Sequence, residues 1–146
     1  MHIKVMPSQI PRVWEAVKFA VVQLDEIPNE QMQQYCVWML HQLLSEKAQC
    51  WVTLNDDRML LNVSITRIAD NAFTGQRELH LQCLYAFQGL TDQTITEALT
   101  LYRAFARKSG CVVIAGSSRH HRARELMERH GFQKQYHTYT LDIGGE

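Results

Sequence analysis

The stretch "ALTLYRAFARKSGCVVIA", residues 98–115, joins two different periodicities with almost no linker. Ile95, Ala98, Leu99, Tyr102, Phe105 and Ala106 recur at helical spacing, so one face of a helix is apolar. Arg107 and Lys108 suit the negative end of that helix, and Gly110 supplies a left-handed stop. "CVVIA" then shows no alternation at all. An unbroken apolar run between turn residues reads as a strand covered on both faces, as in a parallel sheet. A helix fed directly into such a strand demands a layered α/β architecture.

The rest of the chain fits that demand. "MHIKVM" alternates like a half-buried strand, Pro7 ends it, and Ser8 is placed to cap a helix. Ile10, Val13, Trp14, Val17, Ala20, Val21 and Leu24 form the apolar face of that helix, with Pro11 tolerated in its first turn. "DEIPNE" breaks the chain, and Asn29 is the expected cap of a second helix striped by Met32, Tyr35, Cys36, Met39, Leu40, Leu43 and Leu44. "CWVTL" and "MLLNVSITRI" flank "NDDR" as a hairpin would. "ELHLQCLYAF" reads as the fourth strand, and Thr91 caps the helix already described, with Asp92 at its positive start. Ser117 or Ser118 is the expected cap of a last helix whose inner face is Ala123, Leu126, Met127 and His130. Gly131 ends it, Phe132 folds back, and "QKQYHTYTLDI" reads as a final strand. The expected order is β-α-α-β-β-β-α-β-α-β, one α/β domain with a mixed sheet over residues 1–146.

Composition narrows the function classes. Formal charge is zero, so nothing overall calls for nucleic acid or an anionic membrane. No apolar run approaches the length of a membrane span. Cys36, Cys50, Cys83 and Cys111 form no CxxC pair and lie in or beside apolar runs, as buried free thiols do in a reducing cytoplasm. His120 and His121 are adjacent and diverge on a helix, and the chain has no HExxH or Cys/His cluster, so no metal site is expected.

The element order, and the stretch "HHRARELMERHGF", resemble the GNAT superfamily of N-acetyltransferases. A late helix in that family commonly reads N-x-x-A-x-x-L-Y-E-K-x-G-F, and Ala123, Leu126, Glu128, Gly131 and Phe132 match it. The resemblance covers residues 1 to 143 and is strongest over 84–132. It implies an acetyl-CoA-dependent acyltransferase, with CoA held by the loop and helix after the fourth strand. The family's Q/R-x-x-G-x-G/A loop corresponds to "TDQTIT", residues 91–96. Thr91 stands for the Arg/Gln, and Thr94 and Thr96 stand for both glycines. The cofactor-binding residues so implied are Tyr85, Ala86, Gly89, Thr91, Gln93, Thr94 and Thr96. Asp92 adds a negative charge where the diphosphate would sit. Met127 replaces the tyrosine that often protonates the departing thiolate, His120 replaces the opening Asn, and Gln82 replaces a common Glu near the amine.

His80 and His120 titrate near neutrality and are the candidate bases, and Tyr136, or Tyr139 three residues on, is the candidate acid. The basic residues Arg103, Arg107, Lys108, Arg119, Arg122, Arg124 and Arg129 gather in the two C-terminal helices. They read as solvated faces with Glu125–Arg129 and Arg124–Glu128 pairs, or as a basic mouth for phosphates. Trp14, Trp38 and Trp51 read as core or interface positions, which leaves a homodimer open. Two functions follow: an N-acyltransferase acting on a small-molecule or peptide amine, or a catalytically inactive GNAT-like binding or structural module, phage-derived for example.

Overall fold

The computed structural model describes residues 1–23, 27–118, 120–136 and 138–144. Leu24 and Arg119, expected on a helix stripe and in the basic cluster, lie outside the described residues. The elements are β1 (His2–Val5), α1 (Ile10–Gln23), α2 (Asn29–Leu44), β2 (Ala48–Leu54), β3 (Leu60–Asp70), β4 (Arg77–Ala86), α3 (Asp92–Lys108), β5 (Val113–Gly116) and α4 (His121–Arg129).

The strands form one sheet in chain order, antiparallel from β1 to β4 and parallel between β4 and β5. Each face carries its own apolar layer. On one face α1 and α2 pack Ile10, Val17, Met39 and Leu43 against Cys50, Val63, Ile65 and Cys83. On the other, α3 packs Ile95, Ala98, Leu99, Tyr102 and Ala106 against Trp51 and Leu79. Each fully buried Ile, Val, Leu or Met contributes ~1.5–3 kcal/mol, which is what holds the helices on the sheet. Buried polar groups on the α3 face are paired. Trp51 Nε1 donates to Thr66 Oγ1 at 2.9 Å, Thr66 Oγ1 donates to Gln49 Oε1 at 2.9 Å, and the Tyr102 hydroxyl donates to Ser64 Oγ.

α3 starts as its sequence dictates: Thr91 Oγ1 accepts from the Thr94 amide at 3.1 Å. α4 also ends as expected. Gly131 takes φ +94°, its N–H donates to Glu128 O at 3.1 Å, and the Phe132 N–H donates to Met127 O at 3.0 Å. That paired bonding lets Phe132 pack back with Leu126 in the α3-face layer.

Other starts differ. Pro7–Gln9 forms a 3₁₀ turn ahead of α1, where Gln9 Oε1 accepts from the Met6 N–H, so Ser8 is not the cap. Pro28 precedes α2 and Asn29 is its first residue. His120 stands at the α4 cap position, and Ser118 Oγ accepts from the His120 amide at 3.1 Å.

β5 corrects a second expectation. It pairs in parallel with β4 from Glu78↔Val113 to Leu81↔Gly116, but it is the outermost strand. Val112 and Val113 are 64% and 42% exposed, so "CVVIA" is not covered on both faces. Only Cys111 and Ile114 reach the α3-face layer.

The strand expected over 133–143 is not formed among the described residues. Alternation expresses a preference, but a strand exists only where an edge pairs with it. Here Tyr139, Leu141 and Ile143 are 87%, 88% and 96% exposed, and the Tyr136 ring rests on Phe73 at 5.2 Å.

Candidate functional site

β4 contains the feature that builds the site. Ile65 of β3 faces Cys83, whereas the next residue, Thr66, faces Leu81. Gln82 is therefore an extra residue, a β-bulge. The bulge reverses which face each later side chain meets. Leu79 and Leu81 belong to the α3-face layer, while Cys83 and Tyr85 belong to the α1–α2 layer. Pairing between β4 and β5 stops at Leu81↔Gly116, immediately before the bulge. From there the two strands have no further ladder, and a cleft opens between them.

The cleft is a cavity of about 110 Å³. One wall is Leu81, Gln82, Cys83 and Leu84 of β4, and the other is Gly116, Ser117 and Ser118 after β5. Its floor is Leu90 with Ile95, Ala98, Leu99 and Tyr102 of α3. Ala123, Leu126, Met127 and His130 of α4 and the Phe132 ring close it. The lining is mostly apolar, as suits a thin aliphatic chain. Gly116 sits at a close approach: a Cβ there would lie 3.2 Å from Met127 Sδ, so the methionine side chain would have to give way slightly. The Tyr102 phenol is pushed up to about 12, chiefly by burial, so it stays neutral on its bond to Ser64.

At the mouth stands the N-terminus of α3. An anion here would meet the helix dipole and the first amides of the helix. Thr91 Oγ1 already accepts from the Thr94 amide, and the Thr91 and Thr94 hydroxyls lie 2.8 Å apart. Thr96 Oγ1 donates to Asp92 O at 2.8 Å, and the Gln93 side chain donates to Glu97 at 3.1 Å. The threonine hydroxyls are thus used locally. Gly89 takes φ +92° with nothing near a Cβ position, so the turn before α3 is open on that side. Tyr85 packs edge-on against Phe19 and Phe87 on the α1–α2 face, and Ala86 is the last residue of β4.

The Asp92 charge does not stand alone. Its carboxylate accepts from Arg129 Nη1 at 3.2 Å and is 2.9 Å from His130 Nε2. The His130 hydrogen bond, followed by the nearby Arg129 charge, holds the Asp92 carboxyl below the usual range. Arg129 therefore turns to α3 rather than to Glu125, which pairs with His121 at 2.9 Å. The basic cluster has one defined task here, which is to tie the end of α4 to the start of α3.

The expected catalytic residues are not gathered in the cleft. His80 lies on β4 two residues before the bulge, opposite Arg67 of β3. Burial lowers its pKa, Glu78 opposes that, and Arg67 adds to it. His120 is exposed ahead of α4, and Tyr136 is at Phe73. Ser117, Ser118, Tyr102 and the Gln82 bulge were not singled out as site residues by sequence reasoning. Among the described residues no group of three or more His, Cys, Asp or Glu could hold a metal ion, and no helix is long and apolar enough to cross a membrane.

Comparison with solved structures decides the fold. The chain superposes on a "predicted acetyltransferase with acetyl-CoA" from Clostridium acetobutylicum with a TM-score of 0.74, covering 98% of this chain and 96% of that one at 14% identity. The fold is that of the GNAT acetyltransferases. The GNAT fold is equally evident against an aminoglycoside antibiotic 6'-N-acetyltransferase from Acinetobacter baumannii, with a TM-score of 0.70, 12% identity and 99% of both chains covered. A ribosomal-protein-alanine N-acetyltransferase from Brucella melitensis gives 0.67 at 14% identity, over 98% of this chain and 99% of that one. No family model and no curated protein matches the sequence.

Proposed function

We propose that this GNAT-fold chain is an acyltransferase that takes an acyl group from acetyl-CoA and passes it to an amine. The observation that carries this reading is the parting of β4 from β5 at the Gln82 bulge, which opens an apolar cleft with the α3 N-terminus at its mouth. The residues present fit the group: the cleft is narrow and apolar, and the turn at Gly89 leads into helix amides at its outer end. The Arg129 cation and the His130 imidazole stand there, and they become available to phosphates when Asp92 releases them. Bound acetyl-CoA supplies an activated thioester.

The chain's own residues then do three things. Beyond Leu81 the cleft side of β4 has no β5 ladder, which places its backbone to meet an acyl carbonyl there. His80, held neutral by burial, takes the amine's proton on the acceptor face. The hydroxyls of Ser117 and Ser118 lie on the wall beside Met127, which carries no proton of its own. The apolar lining keeps water from the thioester.

Calorimetric titration with acetyl-CoA and with free CoA tests the reading, followed by thiol release in the presence of primary amines. Saturable binding and amine-dependent release are the expected results. Binding of neither ligand would instead support the inactive module.

A further inference from the structure

A second cavity, of about 300 Å³, lies between α2 and the ends of β2 and β3, lined by Gln42, Glu46, Lys47, Gln49, Arg67 and Ile68. Gln49 is 7% exposed and already engaged on the α3 face, where its Oε1 accepts from Thr66 Oγ1. Arg67 stands on the other face, opposite Ala48 of the α1–α2 layer. Arg67 Nε is buried with no hydrogen-bond partner, and among the described residues no carboxylate forms an ion pair with Arg67. The guanidinium carbon sits 5.9 Å from the Trp38 ring centroid, so a cation–π contact helps to fix it. A buried N–H without an acceptor is costly, and such groups in native proteins call for a ligand or a water.

We infer that this cavity is a carboxylate-binding subsite and that the amine acceptor carries that carboxylate. The guanidinium fork matches a planar, two-oxygen anion. Glu46 and the negative C-terminal end of α2 border the same cavity and disfavour a dianion.

A series of side chains on the α1–α2 face links Arg67 to the bulge. Trp38 lies 5.7 Å from the Tyr35 ring, and Gln82 Nε2 donates to the Tyr35 hydroxyl at 3.5 Å. Thr66 stands opposite Leu81, so strand spacing puts the Arg67 and Gln82 backbones on the order of 8 Å apart. An acceptor with its amine at the bulge and its carboxylate at Arg67 would lie along Tyr35 and Trp38. This assignment of the two ends rests on the acyltransfer reading. The carboxylate seat itself does not.

The test is NMR of the ¹⁵N-labelled protein, following Arg67 Nε–H and the Gln49 amide while acetate is added against chloride at equal ionic strength. A saturable downfield shift of Arg67 Nε–H with acetate alone is expected. Arg67→Lys keeps the charge and removes the fork, and it should weaken acetate binding about tenfold. Gln49→Met, on the other face of the sheet, should leave it unchanged. Circular dichroism of each variant checks the fold. Equal shifts in chloride, or an unchanged response in Arg67→Lys, would overturn the subsite. Phosphate binding more tightly than acetate at the same resonances would overturn the carboxylate assignment.

Kinetics with acetyl-CoA then separate the two ideas. Arg67→Lys should raise KM for 5-aminopentanoate about tenfold and leave pentylamine unchanged. Equal kcat/KM for the two amines in the wild type would overturn the acceptor assignment. Acetate binding without acetyl-CoA binding would overturn both the acceptor assignment and the acyltransfer reading, with the seat itself standing.

Discussion

Asp92 and His130 meet across the mouth of the cleft, carboxylate to imidazole at 2.9 Å, from the first residue of α3 to the residue that follows α4. Arg129 joins them at 3.2 Å, so the place best suited to an incoming phosphate already holds an anion of the protein's own. Removing that anion should free the Arg129 guanidinium and the His130 imidazole. Asp92→Asn is therefore expected to tighten acetyl-CoA binding by about three- to tenfold, read by calorimetry. Arg129→Gln should weaken it. The sign for stability is the opposite. The Asp92 pKa is lowered in the fold, so its contribution is present above the ordinary carboxyl range and is lost as pH falls through the lowered value. Asp92→Asn should show a smaller loss of melting temperature in acid than the wild type.

Thr91 holds the Thr94 amide at 3.1 Å. Thr91→Ala should cost ~1 kcal/mol in denaturant melts, as loss of a helix cap does. The same change exposes an amide to a phosphate, so acetyl-CoA affinity should rise while stability falls. A parallel fall in both would show that the cap is needed to shape the turn.

Tyr102 and Ser64 form a buried hydroxyl pair between α3 and β3. Tyr102→Phe leaves Ser64 Oγ without that donor and should cost about 1–2 kcal/mol. Adding Ser64→Ala removes the orphan, so the double variant should be more stable than the sum of the two singles predicts. Urea melts of the four proteins give the coupling directly.

His80 is half-buried and its pKa is lowered, first by burial. The unfolded chain therefore binds this proton more readily than the folded one. His80 favours the fold fully above the ordinary histidine value near 6.5, and that contribution is lost as pH falls from there towards the lowered value. His80→Gln should flatten the fall of melting temperature between pH 7 and 5.5. An unchanged slope would show that this imidazole is solvated in the folded protein.

Local chemistry was the legible part of this chain. The cap at Thr91, the stop at Gly131 and the fold-back of Phe132 all follow from residues close together in sequence. The parallel pairing of β4 with β5 is met too, although the burial on both faces that suggested it is not. The inner face expected for the last helix, Ala123, Leu126, Met127 and His130, lines the cleft. The Asp92 clasp joins residues 37 and 38 positions apart, and nothing local announces it. The bulge is hidden for a subtler reason. "LHLQCLYA" keeps apolar residues at Leu79, Leu81, Cys83 and Tyr85, and after Gln82 it adds apolar Leu84 and Ala86, so no polar residue marks the change of face. Both faces of β4 are covered by apolar layers, so the pattern survives the reversal and conceals it. The strand expected near the C-terminus fails for the converse reason: its alternation is good, but pairing is a property of two segments.

A β-strand has a reading frame of two, and Gln82 shifts it. Any side chain that tolerates the Tyr35 hydroxyl nearby could replace Gln82 and leave that frame intact. Deleting the residue would erase the bulge and still keep the frame: Leu81 and Cys83 would become neighbours in a plain ladder, opposite Thr66 and Ile65 and on the faces they hold now. The strand would lose only its irregularity, at the point where its pairing with β5 now ends.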